Sequence, residues 1–125
     1  MNIRLGDQEV RYRLSLEEFR LLSDPTQPSH DCFELSLSAE RSLQFAIERG
    51  EKFAWRIETS EPTCLKSTFE VPALWFKMKL EELDSAQYEG RKISRDALEY
   101  QQIFETGKTA IKVSLEVDLF SLMGR

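Results

Sequence analysis

A chain of 125 residues with 41% hydrophobic and 31% charged side chains has the size and balance of one domain, residues 1–125, able to bury a core without disulfides or a structural metal. Seventeen Lys and Arg against 22 Asp and Glu leave a net charge of −5, which argues against nucleic-acid and anionic-membrane surfaces. No apolar run approaches the ~18 residues of a membrane span, no basic-then-apolar leader opens the chain, and Cys32 and Cys64 fit no C-x-x-C spacing. A cytoplasmic protein with free thiols and no cofactor is expected.

Ile3 and Leu5, then Val10, Tyr12 and Leu14, alternate with polar neighbours on either side of Gly6-Asp7-Gln8-Glu9, a hairpin pattern. Ser15-Leu16-Glu17-Glu18 follows with the S-x-x-E spacing in which hydroxyl and carboxylate each satisfy a free backbone N–H, and Leu14 and Phe19 can close a hydrophobic staple over it. This predicts a helix over Leu16–Ser23, stopped by Pro25. Asp24 to Asp31, with two prolines and His30, reads as a loop.

Period-two alternation then recurs through Phe33, Leu35 and Leu37, through Leu43, Phe45 and Ile47, through Phe53, Trp55 and Ile57, and from Leu65 to Val71 after a break at Pro62. An antiparallel meander is expected there. From Pro72 two periods compete, but Ala73, Phe76, Leu80 and Leu83 share a helical face and no residue from Ala73 to Leu83 is β-branched, so a helix over Ala73–Leu83 is predicted. Asp84 to Ser94 reads as a loop or short edge segment. Leu98 to Phe104 fits either state, with a hairpin the more economical, and Thr106-Gly107-Lys108 turns into a strand through Ile111, Val113, Leu115 and Val117. No repeat of solenoid period and no low-complexity linker interrupts the chain. The expected fold is α+β: a mainly antiparallel sheet of six or seven strands, both helices packed on one face, with curvature toward a partial barrel as a variant.

The opening strand pair with Arg4, Arg11 and Arg13, the run Arg13-Leu14-Ser15, the step Val71-Pro72-Ala73 into a helix, and the closing strand with Lys112, Glu116, Asp118 and Leu122 resemble a family of short uncharacterised bacterial proteins. That family opens with R-x-R-L-(S/T) and closes near K-(I/L)-x-(V/I)-E-K-D-F-x-C-L; here Val117, Leu119 and Ser121 replace its Lys, Phe and Cys. The resemblance implies a small cytoplasmic α+β protein and carries over no catalytic residue.

Two functional readings remain. Trp75, Leu119 and Phe120 are large apolar groups that so small a core need not absorb, and they would mark a surface for a homodimer or a protein partner in a non-enzymatic interaction domain. Alternatively Arg4, Arg11, Arg13 and Arg56 stand at outward strand positions, and on one concave sheet face their forked guanidiniums would suit a phosphate or carboxylate ligand of a small enzyme or anion-binding protein. The plainer reading of those arginines is a solvated face with cross-strand ion pairs. Glu116 and Asp118 could form an acidic pair on one strand face, although alternation produces such pairs freely. His30 and two distant cysteines fit neither zinc spacing nor a nucleophile with its base, and no glycine sits in a phosphate-cradling loop, so no catalytic residue or metal site is assigned.

Overall fold

Among the described residues the alternating segments become eight strands, and these divide between two sheets instead of lining up in one. The computed structural model describes residues 1–60 and 64–119. In the first sheet β1 (Asn2–Gly6) and β2 (Glu9–Ser15) form the opening hairpin, β2 runs parallel to β8 (Thr109–Asp118), and β8 pairs antiparallel with β7 (Tyr100–Thr106), for the order β1-β2-β8-β7. The second sheet repeats the pattern: β3 (His30–Ser36) pairs antiparallel with β4 (Ser42–Gly50), β4 runs parallel to β6 (Cys64–Pro72), and β5 (Ala54–Ser60) flanks β6. The single mainly antiparallel sheet and the meander are therefore corrected, and neither sheet closes into a barrel. Alternation fixes which side of a strand is greasy but not which strand lies beside it.

In chain order the protein is β-β-α-β-β twice, and each half lends its second strand pair to the other half's sheet. The two sheets bury their inner faces against each other. Tyr12 and Phe69, at matching positions of the two halves, meet across the gap with ring centres 5.8 Å apart. Around them Phe45 and Ile47 come from the second sheet and Val113, Leu115 and Val117 from the first. Tyr12 also places a polar bond in this layer: its hydroxyl donates to the Ser67 carbonyl at 3.0 Å and lies 2.6 Å from Ser67 Oγ, which in turn accepts the Trp55 indole N–H at 2.7 Å. Burial pushes the Tyr12 phenol up to about 12, against the pull of the Ser67 and Trp55 bonds, so it stays a neutral donor.

Because the sheets cover each other, the helices do not lie on a sheet face as expected. α1 (Leu16–Ser23) leaves the end of β2, α2 (Ala73–Tyr88) leaves the end of β6, and together they close that end of the sandwich, with Phe19 6.1 Å from Phe76 and 6.4 Å from Trp75. The predicted capping box is present: Ser15 Oγ accepts the Glu18 N–H at 3.1 Å and Glu18 Oε1 accepts the Ser15 N–H at 2.8 Å. At the other end of α1, the Arg49 guanidinium donates to the carbonyls of Leu22 at 2.6 Å, Asp24 at 2.8 Å and Gln27 at 3.1 Å, satisfying groups that the helix end leaves open. α2 continues past Leu83 to Tyr88, where a loop or edge segment was expected, because Ala86 extends its buried face and no breaker intervenes before Gly90. A short 3-10 turn at Arg95–Leu98 then leads into β7.

Replacing Ser15 by alanine removes one partner of the box, and a loss of about 1 kcal/mol in unfolding free energy is expected by urea titration. A change below a few tenths would mean that the neighbouring packing alone sets the start of α1.

Candidate functional site

The arginines do not converge. Arg4, Arg11 and Arg13 stand on the outer face of the first sheet, whereas Arg56 belongs to β5 and to the outer face of the second, on the other side of the sandwich. The grouping of all four on one face is corrected by the partition into two sheets. Arg11 directs Nε to Glu116 Oε1 at 2.7 Å and bonds the same oxygen through Nη2, with Glu9 at 3.9 Å. The bond to Glu116 and its charge hold the guanidinium still more firmly protonated. Arg13 lies 3.6 Å from Asp118, so the two carboxylates of the Glu116-Val117-Asp118 stretch are each matched by an arginine of β2. Arg4 stands opposite Arg11 on the edge strand. Beside Arg11 a polar depression of about 630 Å³ is lined by Glu9, Asp96, Glu99, Lys112 and Glu116, a mixture that supplies as many acids as an anion must avoid.

On the opposite face Arg56 is held by Glu48 and Glu58, each at 2.6 Å, with Glu70 at 3.9 Å. Glu70 also accepts the N–H groups of Glu51 at 3.0 Å and Lys52 at 3.2 Å, which hold its carboxyl below the usual range and tie down the turn after β4. Its stem crosses so close to Gly50 that a Cβ there would meet Cγ at 2.6 Å and Cδ at 2.7 Å. These are ion pairs on wet faces, across strands except for Arg56 with Glu58, which share β5, and each is worth about 0–1 kcal/mol.

Trp75 and Leu119 are not surface groups. Trp75 is 8% exposed and Leu119 3%; the first is wedged beside Phe19 and Phe76, and the second extends the inward row of β8. Phe120 lies outside the described residues.

Leu21 on α1, Leu74, Met78 and Tyr88 on α2 and Ile103 on β7 are exposed, and a further exposed apolar surface, built on the inner face of the second sheet, lies at the end of the sandwich opposite the helices. Register aligns Phe33, Phe45, Ser67 and Ile57 in one row across the inner face of the second sheet, and Leu35, Leu43 and Leu65 in the next row outward. Phe45 is buried, but Phe33 is 38% exposed, Leu35 47%, Ile57 48% and Leu65 40%, because the first sheet does not reach over these rows. Leu37, two residues past Leu35 and backbone-bonded to Arg41 at 2.8 Å, continues the same greasy rim. Alternation alone marked all of these as inward. What it lacked was the outline of the covering sheet.

A second cluster lies where α1 meets β3. Glu18 and Asp31 bring two carboxyls close together, and with His30, Leu21 and Gln27 they border a crevice of about 330 Å³. Partial burial would raise Glu18, but the Met1 ammonium, the Ser15 N–H and the Asp31 carboxyl together bring it down to about 2. Burial and the neighbouring Glu18 push Asp31 up. Cys32 is exposed, and desolvation and nearby carboxylates raise its thiol, against the lowering by Lys66, which leaves it a poor nucleophile at neutral pH.

Comparison with protein-family models, with curated proteins and with solved structures gives no match for this chain. Among the described residues no three His, Cys, Asp or Glu side chains group as a metal site, and no helix is long and apolar enough to cross a membrane.

Proposed function

We propose that the protein is a non-enzymatic interaction domain that meets a protein partner at the open end of its sandwich. The observation that carries this reading is the double row of Phe33, Leu35, Ile57 and Leu65, an apolar surface contiguous across four strands and continued by Leu37. Contiguous exposed apolar area costs solubility and is kept where something covers it. Anion binding through the arginines is the weaker reading, since Arg11, Arg13 and Arg56 are each matched by carboxylates and fall on opposite faces.

Panning a random peptide library against the folded protein is expected to select apolar peptides whose binding shifts the amide resonances of Leu35, Ile57 and Leu65. Shifts confined to Arg11, Lys112 and Ser114 on adding inorganic phosphate, with the open end unmoved by any selected peptide, would replace this reading by the anion-binding one.

A further inference from the structure

We propose that the occupant of the open end is a second copy of this chain, joined antiparallel along β3 about a twofold axis at Leu35; this rests on the reading of that end as a docking surface. β3 is an edge strand whose sequence, His30-Asp31-Cys32-Phe33-Glu34-Leu35-Ser36, contains no Lys, Arg or Pro, the residues that usually blunt an edge. The other edge of the sheet, β5, carries Arg56 with its ring of carboxylates.

The backbone is set for such pairing. Arg49 N–H donates to Ser29 O at 2.6 Å and Leu37 N–H to Arg41 O at 2.8 Å, so the odd-numbered residues of this strand bond to β4 and the even-numbered ones face outward. The outward Cys32 N–H is already taken by the Asp31 carboxylate at 2.9 Å. Beyond it along the strand, Glu34 and Ser36 each offer an outward N–H and C=O, and a twofold axis at Leu35 sets Glu34 of each copy against Ser36 of the other.

The side chains select the same axis. With Leu35 opposite itself, Phe33 faces Leu37, so each of the three exposed apolar residues along this edge meets an apolar one, while the two Glu34 carboxylates are kept apart. Centring on Glu34 would set like charges directly opposite, which opposes pairing. Centring on Phe33 would set Leu35 against Asp31. The Leu35 axis also carries the Glu40-Arg41 turn of each copy toward the other's His30 and Asp31, where the flanking charges are complementary. The two open ends would become one apolar surface across an eight-stranded sheet.

Leu35 opposite itself would be a non-hydrogen-bonded antiparallel pair, whose Cα atoms approach to about 4.5 Å, within disulfide reach. In a Cys32→Ser, Cys64→Ser background, Leu35→Cys is expected to cross-link to a dimer under mild oxidation. Leu74→Cys, on the more exposed outer side of α2, is expected to cross-link about tenfold less. Sedimentation of the unmodified protein across the micromolar range should show a concentration-dependent mass, and Leu35→Lys should raise the dissociation midpoint about tenfold or more while matching the parent's thermal stability in samples dilute enough that both are monomers. Equal cross-linking of both cysteine variants, or a constant monomer mass, overturns the second copy. Peptide-induced shifts at Leu35, Ile57 and Leu65 in such a monomer would leave the docking reading standing, and their absence as well would remove both.

Discussion

Phe69→Ala is expected to destabilise the protein by about 3–5 kcal/mol, a large share of the roughly 5–15 kcal/mol that holds a domain of this size. Phe69 is fully buried at the centre of β6, and its ring lies 5.8 Å from Tyr12, 6.4 Å from Phe53, 6.4 Å from Tyr100 and 6.1 Å from Phe104. Three of those neighbours belong to the opposite sheet, so truncation leaves a cavity at the seam where the halves of the chain exchange strands, and it cannot collapse without shifting both sheets. Phe33→Ala, two strands away on the same inner face, should cost under about 1 kcal/mol, since that ring already meets water. Denaturant midpoints of the two variants measure the contrast. Comparable losses would mean that the sheets do not close around Phe69.

Much of this fold is legible in the sequence, and the illegible part has a physical cause. The capping box predicted α1 to the residue because its signal is local: a hydroxyl and a carboxylate three positions apart. Each segment read as a strand from its alternation formed one for the same reason, while the stretch after Pro72, where two periods compete, went to a helix. The partition into two sheets is not local, because β2 finds β8 about a hundred residues away, and nothing in Val10, Tyr12 and Leu14 distinguishes a parallel partner from an antiparallel one. The site inherits this limit. Arg56 was rightly placed outward, yet which outward face it occupies depends on sheet membership. Leu119 continues the inward row of Val113, Leu115 and Val117 and is buried, whereas the strand expected from the sequence ends that row at Val117 and leaves Leu119 on the surface, since nothing local shows that the sheets still cover the chain one step past the last paired residue. Trp75 is buried along with its neighbour Phe76 because α2 is covered from two sides, by α1 and by the strand ends, a condition that helical periodicity on one face cannot express. The open apolar end is the converse case, correctly patterned side chains with no cover above them.

Acid should loosen the junction of α1 and β3 before it reaches the sandwich core. The Glu18 carboxyl, ordinarily near 4.5, is brought down to about 2 in the folded chain, so its stabilising contribution is complete above pH 4.5 and is lost as pH falls toward 2. With solvent screening of this partly buried group allowed for, the loss is about 1–2 kcal/mol. Asp31 acts in the opposite sense: its folded form is raised, so it takes up its proton at higher pH than the unfolded chain does and gains stability as acid is added. The two therefore offset each other at the upper edge of the window, and the net loss falls in its lower part. Glu18→Gln keeps a capping side chain that can still reach the Ser15 N–H while removing the charge, so its unfolding free energy should vary less between pH 4.5 and 2 than that of the parent. Asp31→Asn should raise stability at neutral pH by relieving the apposed carboxyls. Urea titrations of the three proteins across that interval separate these effects, and parallel curves for parent and Glu18→Gln would place the acid sensitivity elsewhere, in the Arg56 network of the opposite face.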